Sequence, residues 1–278
     1  MTELVHYDLE DGVARLTLDS PHNRNALSSQ LTAELHESVR AALADPNARV
    51  VVLTGTGPVF CSGADLKEQR ARNAPPAGAR DGSSGQGEEP AGRDTAPNRP
   101  GLPTALIDVL TMLWDASKPV VCRVNGPARA GGLGIIGACD IVIARETATF
   151  GFAEVRVGVV PAVVAVTCMP RMTQRASLEY FLTGEAFDAR RAVEIGMVNR
   201  AVPDDELDAE IDRYVKMLLL GAPGAQADIK KITETVPSLT RDEAFRSMLE
   251  LSLARFASEE GVEGMRAFLE KRKPRWVT

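Results

Sequence analysis

The chain has 278 residues, of which 44% are hydrophobic and 25% charged, with a formal net charge of −6. This balance is that of a globular protein with one large core, and it excludes disorder of the whole chain. The acidic charge argues against a nucleic-acid or membrane-surface partner, because both classes of protein need a basic excess to attract phosphate groups.

The N-terminal segment MTELVHYDLEDG has neither the basic flank nor the apolar run of a signal peptide. No later stretch stays apolar for the ~18 residues that a bilayer span requires. The four cysteines form no C-x-x-C pair, and the three histidines lie near the N-terminus without metal-ligand spacing. We therefore expect a cytoplasmic protein with reduced thiols and no metal site.

The first 55 residues predict a hairpin, a helix and a strand. Apolar and polar residues alternate on both sides of Asp11-Gly12, which predicts two strands joined by a tight turn. Apolar residues at helical spacing predict a helix over 28–43. The run ARVVVLTG, residues 48–55, predicts a buried strand.

Between residues 71 and 103 the composition changes to Pro, Gly, Ala, Arg, Asp and Ser, with almost no large apolar side chain. Such a segment cannot bury enough apolar surface to order itself, so we expect a loop at the surface. Two alternatives stay open for this loop: a lid over a neighbouring site, or an insertion without a role in function.

Strands and helices alternate again from residue 105 onward. Strands are expected at 119–124, 140–144, 147–152 and 197–203, and helices at 105–113, 161–172, 175–182 and 188–196. Beyond residue 204 only amphipathic helices are predicted. The layout is thus an α/β core over 1–203 and a helical region over 204–278, which packs either on its own core or on another subunit.

The stretch AGGLGIIGACDI contains Gly132, Gly134 and Gly137 in the order G-x-G-x-x-G. In dinucleotide-binding proteins this string occupies the turn between the first strand and its helix. Here the preceding strand ends at Val124, several residues earlier, so the three glycines fall inside the next helix. We therefore do not expect a nicotinamide or flavin site.

A second stretch, VVLTGTGPVFCSGADLKE, follows the same plan of strand, glycine-bearing turn and helix, the helix opening at Gly63-Ala64. Each turn can expose backbone N–H groups at a helix start. If both converge on one oxygen atom, they form an oxyanion hole. The alternative for each turn is that its glycine only permits a tight bend.

Several motifs in this order resemble those of the enoyl-CoA hydratase/isomerase (crotonase) superfamily. They are NRNAL, FCSGADLKE, KPVVCRVNGPARAGGLGIIGACDIVIA, FGFAEVRVGVVP, MPRM and LTGEAFDARRAVEIGMVN. The resemblance implies an α/β fold, the crotonase-like spiral of ββα repeats, with a C-terminal helical oligomerisation region. It also implies a homotrimer or a dimer of trimers.

Carried over by motif, the resemblance implies that the amides of Ala64 and Gly131 hold the thioester carbonyl of an acyl-CoA and that Glu154 is the catalytic carboxylate. It further implies substrate-binding positions at Arg24, Ala26, Ala64, Asp65, Leu66, Lys67, Gly131 and Gly134. Arg24 and Lys67 are expected to contact phosphates of the coenzyme A moiety. Since coenzyme A is part of the substrate, no separate cofactor is expected.

Members of the family that hydrate enoyl-CoA carry two glutamates, and the first would fall at Gly134, which has no side chain. We expect this absence to open room in the acyl pocket. Hydration of a trans-2-enoyl-CoA is the leading hypothesis. Δ3,Δ2-enoyl-CoA isomerisation by Glu154 alone and non-catalytic acyl-CoA binding are the alternatives. Asp140 is expected to be structural.

Overall fold

The computed structural model describes residues 2–65, 67, 68, 70 and 104–277. Leu66 and the predicted loop over 71–103 lie outside the described residues. Within the described part of the chain, no helix is both long and apolar enough to cross a bilayer.

A six-stranded sheet forms the centre of the molecule. In spatial order its strands are β1 (Val5–Glu10), β2 (Val13–Leu18), β3 (Val50–Gly55), β4 (Val120–Val124), β6 (Ile141–Arg145) and β9 (Arg200–Val202). The β1–β2 pair is antiparallel, as the predicted hairpin requires, and every other pair is parallel. Parallel neighbours need crossover connections, which the intervening helices supply.

A second, smaller sheet consists of β5 (Ala128–Arg129), β7 (Thr149–Gly151) and β8 (Phe187–Asp188). Only β7 falls inside a predicted strand. The strands β5 and β8 have two residues each, too short to show any alternation of apolar and polar side chains. The two strands are defined instead by their pairing with β7. Phe150 also stacks on Phe187, with ring centroids 5.7 Å apart.

Six α-helices whose full range the structure describes accompany the strands up to residue 194. They are α1 (Ser29–Ala44), α2 (Thr104–Trp114), α3 (Gly131–Ala138), α4 (Ala162–Cys168), α5 (Gln174–Thr183) and α6 (Ala189–Glu194). The prediction of a helix over 161–172 holds only to Cys168. A 3-10 turn follows over Met169–Arg171, because Pro170 has no N–H with which to continue an α-helix.

The C-terminal region consists of helices joined by short turns, and the last helix ends at Leu269. Its helices are α7 (Leu207–Leu220), α8 (Pro223–Thr235), α9 (Arg241–Ala257) and α10 (Glu259–Leu269). Helix α7 buries Leu207, Ile211 and Val215 against one face of the central sheet. Helices α9 and α10 instead leave a set of large apolar side chains 60–84% exposed, namely Phe245, Leu249, Leu253, Phe256 and Phe268.

Both faces of the central sheet are covered. Val50 and Val52 of β3 face α7, whereas Val51 and Leu53 face the larger core that includes α1 and α2. Burial on both sides explains why this strand reads as a continuous apolar run rather than an alternating one. The turns that follow β3 and β5 carry the candidate site.

Candidate functional site

The turn after β3 is held against two neighbouring segments by backbone hydrogen bonds. The amide of Leu27 donates to the Gly63 carbonyl over 2.8 Å, and Leu27 forms an isolated β-bridge with Ala64. On the other side, the amide of Arg129 donates to the Cys61 carbonyl over 2.9 Å. The two glycine-bearing turns singled out in the sequence are therefore neighbours in space.

The two turns are in close contact at Gly63 and Ala130. A Cβ atom on Gly63, whose φ is +89°, would lie only 2.7 Å from the Ala130 Cβ, so this position has no room for a side chain. Ala130 itself has φ +48° and ψ −118°, a conformation that an L-residue rarely adopts. Strain of this kind is typical of functional sites, and here it fixes the peptide that carries the Gly131 amide.

The amides of Ala64 and Gly131 follow directly on these contacting residues. Gly131 is the first residue of α3, where a helical N–H has no acceptor within its own helix. Within the described part of the chain, neither amide donates a hydrogen bond. Two free N–H groups on touching turns, one at a helix N-terminus, form a site suited to an oxygen that becomes negative.

Gly131 is closely surrounded as well. A Cβ atom there would lie 2.5 Å from Leu27 Cδ1 and 3.6 Å from Leu106 Cδ2. The absence of a side chain at Gly131 thus lets α3 begin against the segment that also holds Gly63.

Glu154 lies in a 3-10 helix over Ala153–Val157, directly after β7. The amide of Val159 donates to the Glu154 carbonyl over 3.0 Å and so closes the turn. The Oε2 atom of Glu154 is buried and has no hydrogen-bond partner among the described residues. Burial raises the pKa of this carboxyl above its ordinary value, which makes its ionised form a better proton acceptor than an ordinary carboxylate.

Cys168 connects Glu154 with α3. Its buried thiol donates to the Leu133 carbonyl over 3.2 Å. Burial raises the pKa of the Cys168 thiol well above its ordinary range, and the charge of the nearby Glu154 adds to that rise. Cys168 thus contacts α3 at Leu133 and also feels the charge of Glu154.

The expectation of open room at Gly134 is wrong. A Cβ atom at this position would lie 2.8 Å from Val164 Cγ1 and 3.4 Å from Leu110 Cδ1. The Thr167 hydroxyl also donates to the Gly134 carbonyl over 2.9 Å. Helix α4 thus packs closely on α3, and the valine side chain fills the space where a glutamate side chain would start.

The other predicted binding residues lie around the turn after β3. Arg24 is exposed, and its carbonyl accepts from the Ser62 amide over 3.0 Å, while Ala26 is buried beside it. The Asp65 carboxylate accepts from the amide of Lys67 over 3.0 Å, so this side chain caps a helix start. The structure brings Arg24, Ala26, Ala64 and Gly131 together, and their roles in binding stay predictions.

Asp140 serves the framework, as its contacts indicate. Its carboxylate accepts from the Val120 amide and from Lys230 Nζ, each over 2.8 Å. These bonds tie the start of β4 to the turn before β6 and to α8. No group of three or more His, Cys, Asp or Glu among the described residues is arranged to hold a metal ion.

Sequence reasoning did not identify Ala130, Val164 or Cys168 as part of the site. Ala130 and Val164 belong to no residue class that signals chemistry, and Cys168 was expected only to be a reduced thiol; each matters through what it touches. For Ala130, its place before a glycine-rich helix start was the one available signal.

Comparison with known proteins identifies the family. The sequence model of the enoyl-CoA hydratase/isomerase family matches residues 8–88 and 83–278. The chain is 31% identical over 282 residues to the carnitinyl-CoA dehydratase of Salmonella arizonae, covering 99% of both chains. It is 33% identical over 265 residues to the mevalonyl-coenzyme A hydratase of Aspergillus fumigatus, covering 94% of this chain and 90% of the relative.

The fold is also that of solved relatives. A crystal structure of an enoyl-CoA hydratase from Shewanella pealeana superimposes with a TM-score of 0.85 at 29% identity, covering 98% of this chain and 96% of the other. The prediction of the crotonase-like α/β fold is thereby confirmed.

Proposed function

The chain belongs to the enoyl-CoA hydratase/isomerase family, and on this premise we propose that it moves a proton through the enolate of an acyl-CoA thioester. Glu154 is the single carboxylate of the proposed reaction, and the amides of Ala64 and Gly131 hold the enolate oxygen. The observation that carries the proposal is the buried Oε2 of Glu154, which has no partner among the described residues, together with the two free amides on the touching turns.

Isomerisation of a 3-enoyl-CoA to a 2-enoyl-CoA is the reaction that this geometry supports best. The Glu154 carboxylate takes a proton from the α-carbon, and the electron pair of the broken C–H bond moves onto the thioester oxygen. When the enolate collapses, the double bond forms between the α- and β-carbons. Glu154 returns the proton to the γ-carbon, and the electron pair of the former β,γ double bond forms the new C–H bond. One carboxylate suffices for both transfers.

Hydration of a trans-2-enoyl-CoA is the second candidate, and the names of the two relatives favour it. This reaction needs one group to activate water and one to deliver the proton to the α-carbon. Val164 and Leu110 occupy the space beside Gly134, where the first glutamate of the family pattern would begin. In this chain Glu154 would have to serve both purposes.

The two reactions are separated by their substrates. Incubation with a 3-enoyl-CoA should produce the absorbance of the conjugated thioester, whereas incubation with crotonyl-CoA should consume it only if the protein hydrates. We expect Glu154→Gln to abolish turnover and to leave coenzyme A affinity nearly unchanged. Full activity in this variant, or tight acyl-CoA binding without turnover of either substrate, would exclude the proposed catalysis.

The proposed reaction transfers only protons and so uses no cofactor besides the coenzyme A of its substrate. We also propose that α9 and α10 join copies of the chain into a trimer or a dimer of trimers. The exposed apolar side chains of these helices, among them Phe256 and Phe268, form a surface typical of an interface. Sedimentation of the parent protein should show an oligomer, and the Phe268→Glu variant should sediment as a monomer. A monomeric parent protein would contradict the proposed association.

A further inference from the structure

The 3-10 turn that carries Glu154 is docked on the C-terminal end of α5. Phe152, which precedes the turn, is fully buried, and its ring centre lies 4.1 Å from that of Phe181 on α5. Farther along the turn, Arg156 Nε donates to the Thr183 carbonyl over 3.0 Å. Glu154 therefore lies between two points of attachment to the same helix.

The end of α5 is shaped to receive this turn. Thr183 is the last residue of the helix, so its carbonyl has no donor within α5, and the negative end of the helix favours a cation such as the Arg156 guanidinium. Gly184 follows with φ +62°. A Cβ there would lie 3.1 Å from Val155 Cγ1 and 3.1 Å from Arg156 Cγ, so the absence of a side chain lets the turn approach the helix closely.

The ring of Phe152 is also held from a second side. The ring centre of Phe187 on β8 lies 6.3 Å from that of Phe152 and 4.4 Å from that of Tyr180 on α5. Tilted aromatic pairs at such distances attract each other beyond the effect of burial alone. Because only Ala153 separates Phe152 from Glu154, a fixed ring also fixes the backbone from which the carboxylate projects.

We propose that Phe152 and Phe181 are a positioning pair, whose stacking holds the Glu154 carboxylate in its buried place. The pair acts through the turn and takes no direct part in proton transfer. This inference rests on the proposed function, because it treats Glu154 as the group that moves the proton. A displacement of about 1 Å at a reacting group can cost about 100-fold in rate, and stiff aromatic packing prevents such a displacement.

Loosening the pair should let water reach the carboxylate. Because burial raises the pKa of Glu154, hydration should move this pKa down toward its ordinary value. On α4, the charge of Glu154 affects the pKa of Cys168, but burial keeps that thiol protonated. In the turn itself, the Arg156 guanidinium is bonded to α5. The titration of Glu154 therefore reports how well its carboxylate is buried.

The test is a pH titration of the Glu154 carboxyl group by carbon-13 NMR, with Glu154→Gln identifying its resonance. Phe152→Leu and Phe181→Leu should each move the midpoint to lower pH. They should also lower kcat for a 3-enoyl-CoA by about tenfold with little change in KM. Phe150→Leu is the matched control, since Phe150 is equally buried but stacks on Phe187. It should lose similar stability and keep both the midpoint and kcat.

Arg156→Met removes the second attachment at an exposed position, where folding is not at risk, and should move the midpoint in the same direction. An unchanged midpoint in Phe152→Leu and Phe181→Leu would overturn the inference. So would an equal shift in Phe150→Leu, which would indicate general loosening of the aromatic cluster. Because the titration involves no turnover, a parent protein inactive on every enoyl-CoA would sink the proposed reaction, while the midpoints would still decide the positioning role.

Discussion

Gly134 and Val164 form a packing pair that should govern whether the site can hold a second carboxylate. Gly134→Glu would place a Cβ 2.8 Å from Val164 Cγ1, closer than such atoms approach in folded proteins, and 3.2 Å from Val164 Cβ, which is tighter than most such contacts. Val164 is buried and β-branched, so its Cγ1 is held stiffly and is not the end of a long flexible side chain that could rotate away. The single substitution should therefore strain the contact between α3 and α4.

The magnitudes follow from this contact. Overpacking by Gly134→Glu should lower the free energy of unfolding by about 1–3 kcal/mol. Val164→Ala deletes two buried carbons and should lower it by about 1.5 kcal/mol on its own. It also removes the 2.8 Å contact and leaves the 3.2 Å contact, which a shift of a few tenths of an ångström relieves. The loss of free energy of unfolding in the double variant should thus be about 1 kcal/mol smaller than the sum of the losses in the two single variants.

Denaturant unfolding of the parent, both single variants and the double variant measures this coupling. The rate of crotonyl-CoA hydration measures the chemical consequence. The double variant has a carboxylate at position 134, where family members that hydrate enoyl-CoA carry their first glutamate. We expect its hydration rate to exceed that of the parent by at least about tenfold. Gly134→Gln with Val164→Ala is the matched control, since it has the same shape without the carboxylate, and should show no such gain.

Three results would refute this reasoning. Gly134→Glu could be as stable as the parent, which would mean that the α3–α4 contact tolerates a side chain. The two substitutions could be strictly additive, so that Val164 would not be the obstacle. The glutamine control could hydrate as fast as the glutamate variant, and the missing carboxylate would then not limit the reaction.

Three further outcomes follow from the site. The kcat/KM for proton transfer should rise with pH through a pKa above 4.5, because burial raises the pKa of Glu154 and the reaction needs its ionised form; a limb at or below 4.5 would contradict this. Gly131→Ala should lower turnover by about 100-fold, because the new Cβ would clash with Leu27 and displace the amide of residue 131 from the oxyanion site, while the fold of the C-terminal helices should stay unchanged. Asp140→Asn should lower the free energy of unfolding by about 2 kcal/mol by unpairing Lys230, while kcat stays unchanged.

Local patterns were enough to predict the long elements. The β1–β2 hairpin, α1 and β3 follow from alternation, helical spacing and a continuous apolar run, each of which involves neighbours in the chain. The strands β5 and β8 could not be found in this way, since two residues carry no period and only pairing with β7 defines them. The same holds for the end of α4, which a 3-10 turn replaces before the predicted boundary.

The order of its motifs indicated the family of this protein, and the resemblance to that family in turn marked Ala64, Gly131 and Glu154. The tertiary structure decided what surrounds them. It placed Gly63 against Ala130, Cys168 beside Glu154 and Val164 in the space next to Gly134. Such contacts join segments far apart in the chain through apolar side chains of ordinary type, and close packing rather than residue identity determines them.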